Sequence, residues 1–475
     1  MLLSRSQTKF TDEQQQILQR QLADKITNYA SVDEIRMLLI CGAQADGTVI
    51  RGLTPLHYAC YINYFAAAKL LLNRGAKADA VDEIGCSALH LCAEHGHYRM
   101  IKLLLQYMEA VRQYEIPLME KEGRYPSREN IDEPLRLAIK NGHFECARLL
   151  LENGANPNAI YFDGPEITHI SPLDTKFIEL LLEYGADPNV FDRKGLSPLM
   201  RSCRMKEKGI PTIEILLKYG ADLNAQAPDR QDHRTALHFA LLSGSADLVK
   251  FLIGKGAMVN MPEEYEKPSP IDIAVLKDDP ELLKVILDAG ANPNAVHTYI
   301  GSALHLAACS FLSNQFEIVE LLLERGADVN LQHKWPTGAV LKSPFVEYFK
   351  SRDSYDLNIV KLMLSHGGRV IMKSPLNDSR GQLRNVMRLA VTMTSPQILD
   401  LMLSVAEQFD ASAISRMPLP ENIKETILAR AKSPDSLLNL CRMRIRHSVE
   451  QLSPKTVNSF EIPKRLKAYV LGAGM

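Results

Sequence analysis

The sequence predicts an all-α protein, a solenoid of stacked helix pairs followed by a small, separate helical module. Three observations carry this. A short motif of Ser or Thr, then Pro or Ala, then Leu, often with His, returns along most of the chain. A leucine-rich run ending in glycine follows the copies. Both signatures fade near residue 405, where the sequence changes character.

The best copies of the first signature are Thr54-Pro55-Leu56-His57, Ser87-Ala88-Leu89-His90, Thr235-Ala236-Leu237-His238 and Ser302-Ala303-Leu304-His305. Weaker copies begin at Glu133, Ser171, Ser197, Ser269 and Ser343, and well-behaved neighbours lie 33 or 34 residues apart. The second signature is clearest in Leu149-Leu150-Leu151-Glu152-Asn153-Gly154-Ala155-Asn156 and Leu321-Leu322-Leu323-Glu324-Arg325-Gly326-Ala327-Asp328.

Each part has a physical reading. The Ser or Thr hydroxyl caps a helix by accepting a backbone N–H, and Pro or Ala suits the first turn. Leu and the alanine four residues after the first Ala (Ala240, Ala307) put apolar groups on one face, and the small Ala admits a close neighbour. The leucine run belongs to a second helix. Glycine stops that helix in a left-handed conformation other residues resist, and Asp/Asn-x-Asn supports a tight turn. So short a helix pair cannot bury its own apolar stripe, so each unit must stack on its neighbours.

This unit resembles the ankyrin repeat, over roughly residues 31–405 and about ten or eleven copies. The first copy is partial, ending in Leu38-Leu39-Ile40-Cys41-Gly42-Ala43; the last contains Arg388-Leu389-Ala390-Val391 and the run from Ile398 to Leu403. Residues 1–30 are a lead-in in which Thr11-Asp12-Glu13 is expected to cap a helix whose Ile17, Leu18 and Leu22 cover the first repeat. The array is irregular in three places. Only 26 residues separate Ser171 from Ser197, predicting a unit that has lost about two turns from its first helix. Extra sequence lies around 112–127, and an unusual stretch before Ser343 holds Trp335, the only tryptophan. Drift in tolerant loops explains such departures; the alternative is that they project from one face and select a partner.

Composition bounds the function. The 475 residues carry 55 Lys plus Arg against 56 Asp plus Glu, a formal net charge of −1 that gives no electrostatic reason to expect nucleic acid or an anionic membrane. Eight scattered cysteines without a Cys-x-x-Cys pair suit free thiols in a reducing compartment. No secretory signal and no apolar run of about 20 residues is visible, so a soluble intracellular protein is expected, cytoplasmic and open to the nucleus.

Residues 406–432 read as a connecting helix or linker, with Met417-Pro418-Leu419-Pro420 as a linker feature, and 433–475 as the separate module. Ser433-Pro434 is a strong helix start. Leu437, Cys441 and Ile445 follow at four-residue spacing and share one stripe of that helix, while Arg442, Arg444 and Arg446 take other faces. Further on, residues 460–471 form a short apolar segment beginning at a proline. By themselves these residues fit a terminal helix capping the array as well as a docking element.

Ser436-Leu437-x-x-x-Cys441-x-x-x-Ile445 resembles the elongin-binding box of the SOCS box, and Ile462-Pro463-x-x-Leu466 resembles its cullin-5 box. The usual Leu-Pro-Leu-Pro core reads Phe460-Glu461-Ile462-Pro463, so its first proline is missing. Together the halves resemble the ankyrin-repeat and SOCS-box family. That resemblance implies a substrate-recognition subunit of a cullin-RING ubiquitin ligase. Leu437, Cys441 and Ile445 would bind elongin C with elongin B; Ile462, Pro463 and Leu466 would bind cullin-5 with its RING partner; the repeats would hold an unknown target protein. No catalytic residue and no cofactor is implied. A non-ligase ankyrin scaffold is the alternative.

Other chemistry is thinly represented. The histidines at 57, 90, 238 and 305 share one repeat position, where the family's ring hydrogen-bonds loop backbone. No Gly-x-x-x-x-Gly-Lys-Ser/Thr, His-Glu-x-x-His or Gly-x-Ser-x-Gly motif occurs. Leu322 followed by Asp328-Val329-Asn330 resembles the motif of ankyrin asparagines modified by an oxygen-dependent hydroxylase, beside an ordinary turn role for Asn330.

Overall fold

The structure is a computed structural model that describes residues 12–115, 133–161, 163–262, 264–296, 301–335, 338, 340–350, 355–373, 381, 385, 396–432, 444–445, 449 and 452–471. The described chain is mainly short helices in pairs, with three two-stranded pieces of two residues per strand. It divides into two compact units, 1–198 with 214–221, and 199–213 with 222–475, so the division falls within the helices Pro198–Cys203 and Ile210–Lys218.

The first unit opens on helix Asp12–Thr27, which packs on both Val32–Ile40 and Pro55–Tyr61 and so takes the first-helix place of the opening repeat. Its buried stripe is Gln19, Leu22, Ala23 and Ile26; Ile17 is 52% exposed and Leu18 only half-buried, so the expected covering set is shifted along the helix. The reason is Gln19. Its amide donates to the Gln44 carbonyl at 2.9 Å and accepts the Gln44 N–H at 3.1 Å, turning the stripe centred on Leu22 and Ile26 inward.

The pairs Pro55–Tyr61 with Phe65–Asn73 and Pro134–Lys140 with Phe144–Glu152 show the unit in regular form. Leu56 and Ala59 of the first helix and Ala67, Ala68, Leu71 and Leu72 of the second are buried, the one-face pattern the leucine run predicts. Gly75, at φ +87°, ends the second helix, with its N–H on the Leu72 carbonyl and the Ala76 N–H on the Leu71 carbonyl, both at 3.0 Å. This double bond satisfies carbonyls the helix end would otherwise strand. The extra sequence first lengthens helix Tyr98–Glu115 to 18 residues; 116–132 lie outside the described residues.

The shortened repeat differs from expectation in one respect. Ser171 does not open a first helix: Leu173 is 51% exposed, and Asp174 stands as N-cap of the second helix, Thr175–Glu183. The first helix is reduced to the three-residue 3₁₀ turn Glu166–Thr168, and Ile167, 2% exposed, fills the position that Leu occupies elsewhere. With 26 residues available, a full first helix does not fit before the leucine run. A single turn placed five residues earlier covers the core instead.

In the second unit Ala236–Ser243 pairs with Ala246–Gly254, Pro270–Leu276 with Pro280–Asp288, Ala303–Cys309 with Gln315–Glu324, and Pro344–Tyr348 with Leu357–Ser365. The stretch holding Trp335 is a hairpin, His333–Lys334 against Val340–Leu341, with the Trp335 and His333 rings 4.1 Å apart. The five-residue helix Pro344–Tyr348 compensates for its length with aromatic bulk: Phe345, Tyr348 and Phe349 are wholly buried. Helix Pro396–Val405 packs on Leu357–Ser365; Arg388 to Val391 lie outside the described residues. Gln408–Phe409 then runs parallel to Ile371–Met372, and helices Ala411–Arg416 and Glu421–Lys432 pack together around the Met417-Pro418-Leu419-Pro420 turn, where Leu419 is buried.

Candidate functional site

The module after residue 444 is small but has its own core. Ser453 caps helix Pro454–Asn458 by accepting the Thr456 N–H at 3.0 Å, with proline in the first turn. Helix Lys464–Leu471 starts from the Pro463 carbonyl, which accepts the N–H groups of Leu466 and Lys467 at 2.9 and 3.1 Å. The Lys467 ammonium donates to the Asn458 carbonyl at 2.7 Å and ties the two helices. Leu452, Val457 and Val470 form the buried cluster, with Ile445, Val449, Phe460 and Leu471 packed partly buried against it. The motif reading missed Leu452 and Val457. Ser453-Pro454, a second Ser-Pro helix start, is the signal that marks them.

Of the stripe Leu437, Cys441 and Ile445, the first two lie outside the described residues. Ile445 lies partly buried on the Leu452–Val457–Val470 cluster, so this position contributes to the module's own core. Ile462 is half-buried, Pro463 exposed and Leu466 37% exposed. The module rests on the array: helix Lys464–Leu471 packs against Leu357–Ser365. A Cβ on Gly367 (φ +92°) would sit 3.3 Å from that of Leu452, so the bare glycine turn makes room for this approach.

The repeat turns are stitched by asparagines. Asn260 donates to the Gly290 carbonyl at 2.9 Å and accepts the Asn292 N–H at 2.8 Å; Asn294 does the same with Gly326 at 2.9 Å and Asp328 at 2.7 Å. Asn330 continues the ladder, donating to the Gly367 carbonyl at 2.9 Å and accepting the Arg369 N–H at 3.0 Å. The turn role of Asn330 is thus filled, and it bears on the same glycine turn that meets Leu452.

The repeated histidines have one structural job. In each of the four copies, the N-cap backbone N–H donates to the ring Nδ1, at 3.1 Å for Thr54–His57 and 3.0 Å for Thr235–His238. Nδ1 is then an acceptor, which puts the ring proton on Nε2. His57 and His305 direct that Nε2 to the carbonyls of Cys86, at 3.2 Å, and Lys342, at 2.8 Å. Burial holds all four rings below the ordinary histidine range, His238 at about 3. At Ser269 a buried carboxylate, Asp272, replaces the ring and accepts both the Ser269 N–H and hydroxyl, at 2.9 and 2.7 Å.

The seven described cysteines are free thiols, four of them buried. Burial pushes Cys86 and Cys146 up to about 11, away from the thiolate that reactivity needs. No helix among the described residues is long and apolar enough to cross a membrane. Beside the shortened repeat, Ile160, Tyr161, Pro165, Val190 and Phe191 line a shallow recess of about 430 Å³.

Stacked helix pairs joined by capped turns define an ankyrin-repeat protein. The ankyrin-repeat families match at residues 26–114, 171–263 and 226–297 as three-copy blocks and at 132–161 and 302–334 as single repeats, and the SOCS box matches at 433–471. The chain belongs to the ankyrin-repeat and SOCS-box family. It is 35% identical over 157 residues to human ankyrin repeat and SOCS box protein 6, covering 30% of this chain and 37% of that one. It is 27% identical over 260 residues to the Arabidopsis thaliana E3 ubiquitin-protein ligase KEG, covering 50% of this chain and 14% of that one. The chain therefore spans well under two thirds of these relatives. A crystal structure of the human ASB11 ankyrin repeat domain aligns at 24% identity with a TM-score of 0.37, covering 50% of this chain and 98% of that one.

Proposed function

We propose that the protein is a substrate-recognition subunit of an elongin–cullin–SOCS-box ubiquitin ligase, non-catalytic in itself, whose repeats hold the protein to be modified. The observation that carries this is a SOCS-box match at 433–471 following an ankyrin array. Leu437, Cys441 and Ile445 are the elongin-binding residues, with elongin C as the direct contact and elongin B beside it. Ile462, half-buried, and Pro463 and Leu466, both exposed, are the cullin-5 contacts. The acceleration comes from proximity: tethering raises the effective concentration of target lysines near the charged conjugating enzyme.

Co-expression with elongins B and C followed by gel filtration tests this. Losing a buried leucine costs ~2–5 kcal/mol, so Leu437→Ala with Cys441→Ala weakens capture by roughly a hundredfold or more. If wild type and double variant elute alike and without elongins, the protein is an ankyrin scaffold whose tail only caps the array. Asn330 is the proposed modification position. Its amide is engaged on both sides, so hydroxylation requires the turn to open first, and a mass increase on the peptide containing it, after treatment with the hydroxylase, is the readout.

A further inference from the structure

Four consecutive repeats of the second unit expose a large apolar side chain at the same edge, where the first helix ends. Met205 is 36% exposed, Leu242 39%, Leu276 50% and Phe311 84%. Side chains of one turn bond to the next, so the four turns follow one another along this edge. Ser245 donates to the Glu207 carboxylate, the Lys277 ammonium donates to the Leu242 carbonyl at 3.1 Å, and Asp278 accepts the N–H groups of Ser313 and Asn314 at 2.6 and 3.0 Å. Charge is divided along the row. Around Met205 the exposed Arg204, Lys206 and Lys208 outnumber Glu207, whereas toward Phe311 Asp278, Asp279 and Glu317 outnumber Lys277.

The geometry points to this row as the docking site for an amphipathic α-helix of a target protein, with apolar side chains at every seventh position and acidic residues at the end over 204–208. The inference rests on the reading of the repeats as the target-binding part, and it names what they bind. Spacing selects the helix. Adjacent packed helices lie ~8–10 Å apart, and seven residues of α-helix rise ~10.5 Å while returning to nearly the same face. An extended strand covers that distance in about three residues, which point to opposite faces, so it offers no matching row. The charge division sets the direction: the helix C-terminus, where the dipole is negative, lies over the basic end.

The test uses the full-length chain and a fluorescein-labelled synthetic helix of roughly 24 residues, long enough for four contact positions seven residues apart, with leucine at every seventh position and glutamates in its last turn. Fluorescence anisotropy reads binding. Leu242→Asp and Leu276→Asp should each weaken it by about tenfold or more, since each removes a buried contact and installs a charge. Lys206→Glu with Lys208→Glu, which leaves every apolar residue in place, should weaken it severalfold, more so at low salt. A peptide with leucine at every fifth position should not bind, and one with the glutamates moved to its first turn should bind more weakly. Absence of binding by the designed helix, equal binding of the fifth-position peptide, or wild-type affinity in both aspartate variants overturns the proposal. Elongin capture by the same variants, read separately, distinguishes its failure from failure of the ligase assignment.

Discussion

Arg136 and Glu166 form an ion pair across adjacent repeats, with Nη1 3.5 Å from Oε2, and the carboxylate is almost wholly buried. Arg136 stands where other copies have histidine, and Glu166 begins the single turn that replaces a helix in the shortened repeat. The Arg136 guanidinium also lies 4.2 Å over the Tyr161 ring. Two departures from the repeat pattern are therefore one feature: the arginine spans a gap the histidine cannot, and it reaches the carboxylate the missing helix leaves inside.

Breaking this pair should be costly and mending it cheap. Arg136→Met leaves a buried carboxylate and should destabilise the first unit by about 3–5 kcal/mol; adding Glu166→Gln should recover much of that. Urea midpoints of the two variants and the double variant check this, and additive losses would show that the two residues act independently.

Stability should fall in mild acid. The rings of His57, His90, His238 and His305 are held below the ordinary value by burial. They protonate in the unfolded chain near about 6.5 but resist until lower pH when folded, His238 until about 3. Between those values the unfolded chain binds more protons, so their contribution is complete above about pH 6.5 and declines as pH falls through it. The slope from His238 alone approaches ~1.4 kcal/mol per pH unit. His238→Gln keeps a capping acceptor but cannot titrate, so its urea midpoint should vary less between pH 7.5 and 5.5 than that of wild type. Identical slopes would refute the assignment.

The asparagine ladder makes a local prediction. Asn294→Ala removes the partner of the Gly326 carbonyl and of the Asp328 N–H, at a cost of about 0.5–1.5 kcal/mol for each lost bond. Hydrogen exchange at the 326–328 turn should quicken. Asn330→Ala should act likewise at 367–369, and because Gly367 meets Leu452, protection in the module should drop with it. Unchanged exchange at 452–458 would mean the module sits there without depending on the turn.

Variants at Pro463 and Leu466 should separate folding from recruitment. Both are exposed, whereas Val457 and Val470 are buried in the module core. Pro463→Ala with Leu466→Ala should leave elongin capture intact and reduce cullin-5 recruitment, read by pull-down with purified cullin. Val457→Asp should abolish both. Full cullin affinity in the first variant would reduce the 462–466 segment to a structural role.

The array was legible because its rules are local. A Thr or Ser cap, a leucine at fixed offset and a glycine stop act within one or two turns of helix, so Thr54, Leu56, Leu71 and Gly75 announce their places without reference to distant residues. The weak copy at Ser171 misled for the same reason. Local grammar marks a helix start there, but whether a helix forms depends on the room between Glu166 and Thr175. In the module, four-residue spacing predicts a stripe through Leu437, Cys441 and Ile445 but does not announce that Ile445 turns inward. Ile445 does so because Leu452, Val457 and Val470 stand opposite it.

By itself the sequence determined the helix pairs, their caps and stops, and the change of grammar that separates array from module, because hydrogen bonding at helix ends and periodic burial are short-range. Tertiary structure alone decided the Arg136–Glu166 pair, the bonding of each Asn amide to the next turn, and the alignment of Met205, Leu242, Leu276 and Phe311 along one edge. These join residues about 30 or more apart in sequence. Their distances follow from how one repeat stacks on the next, which no single repeat encodes.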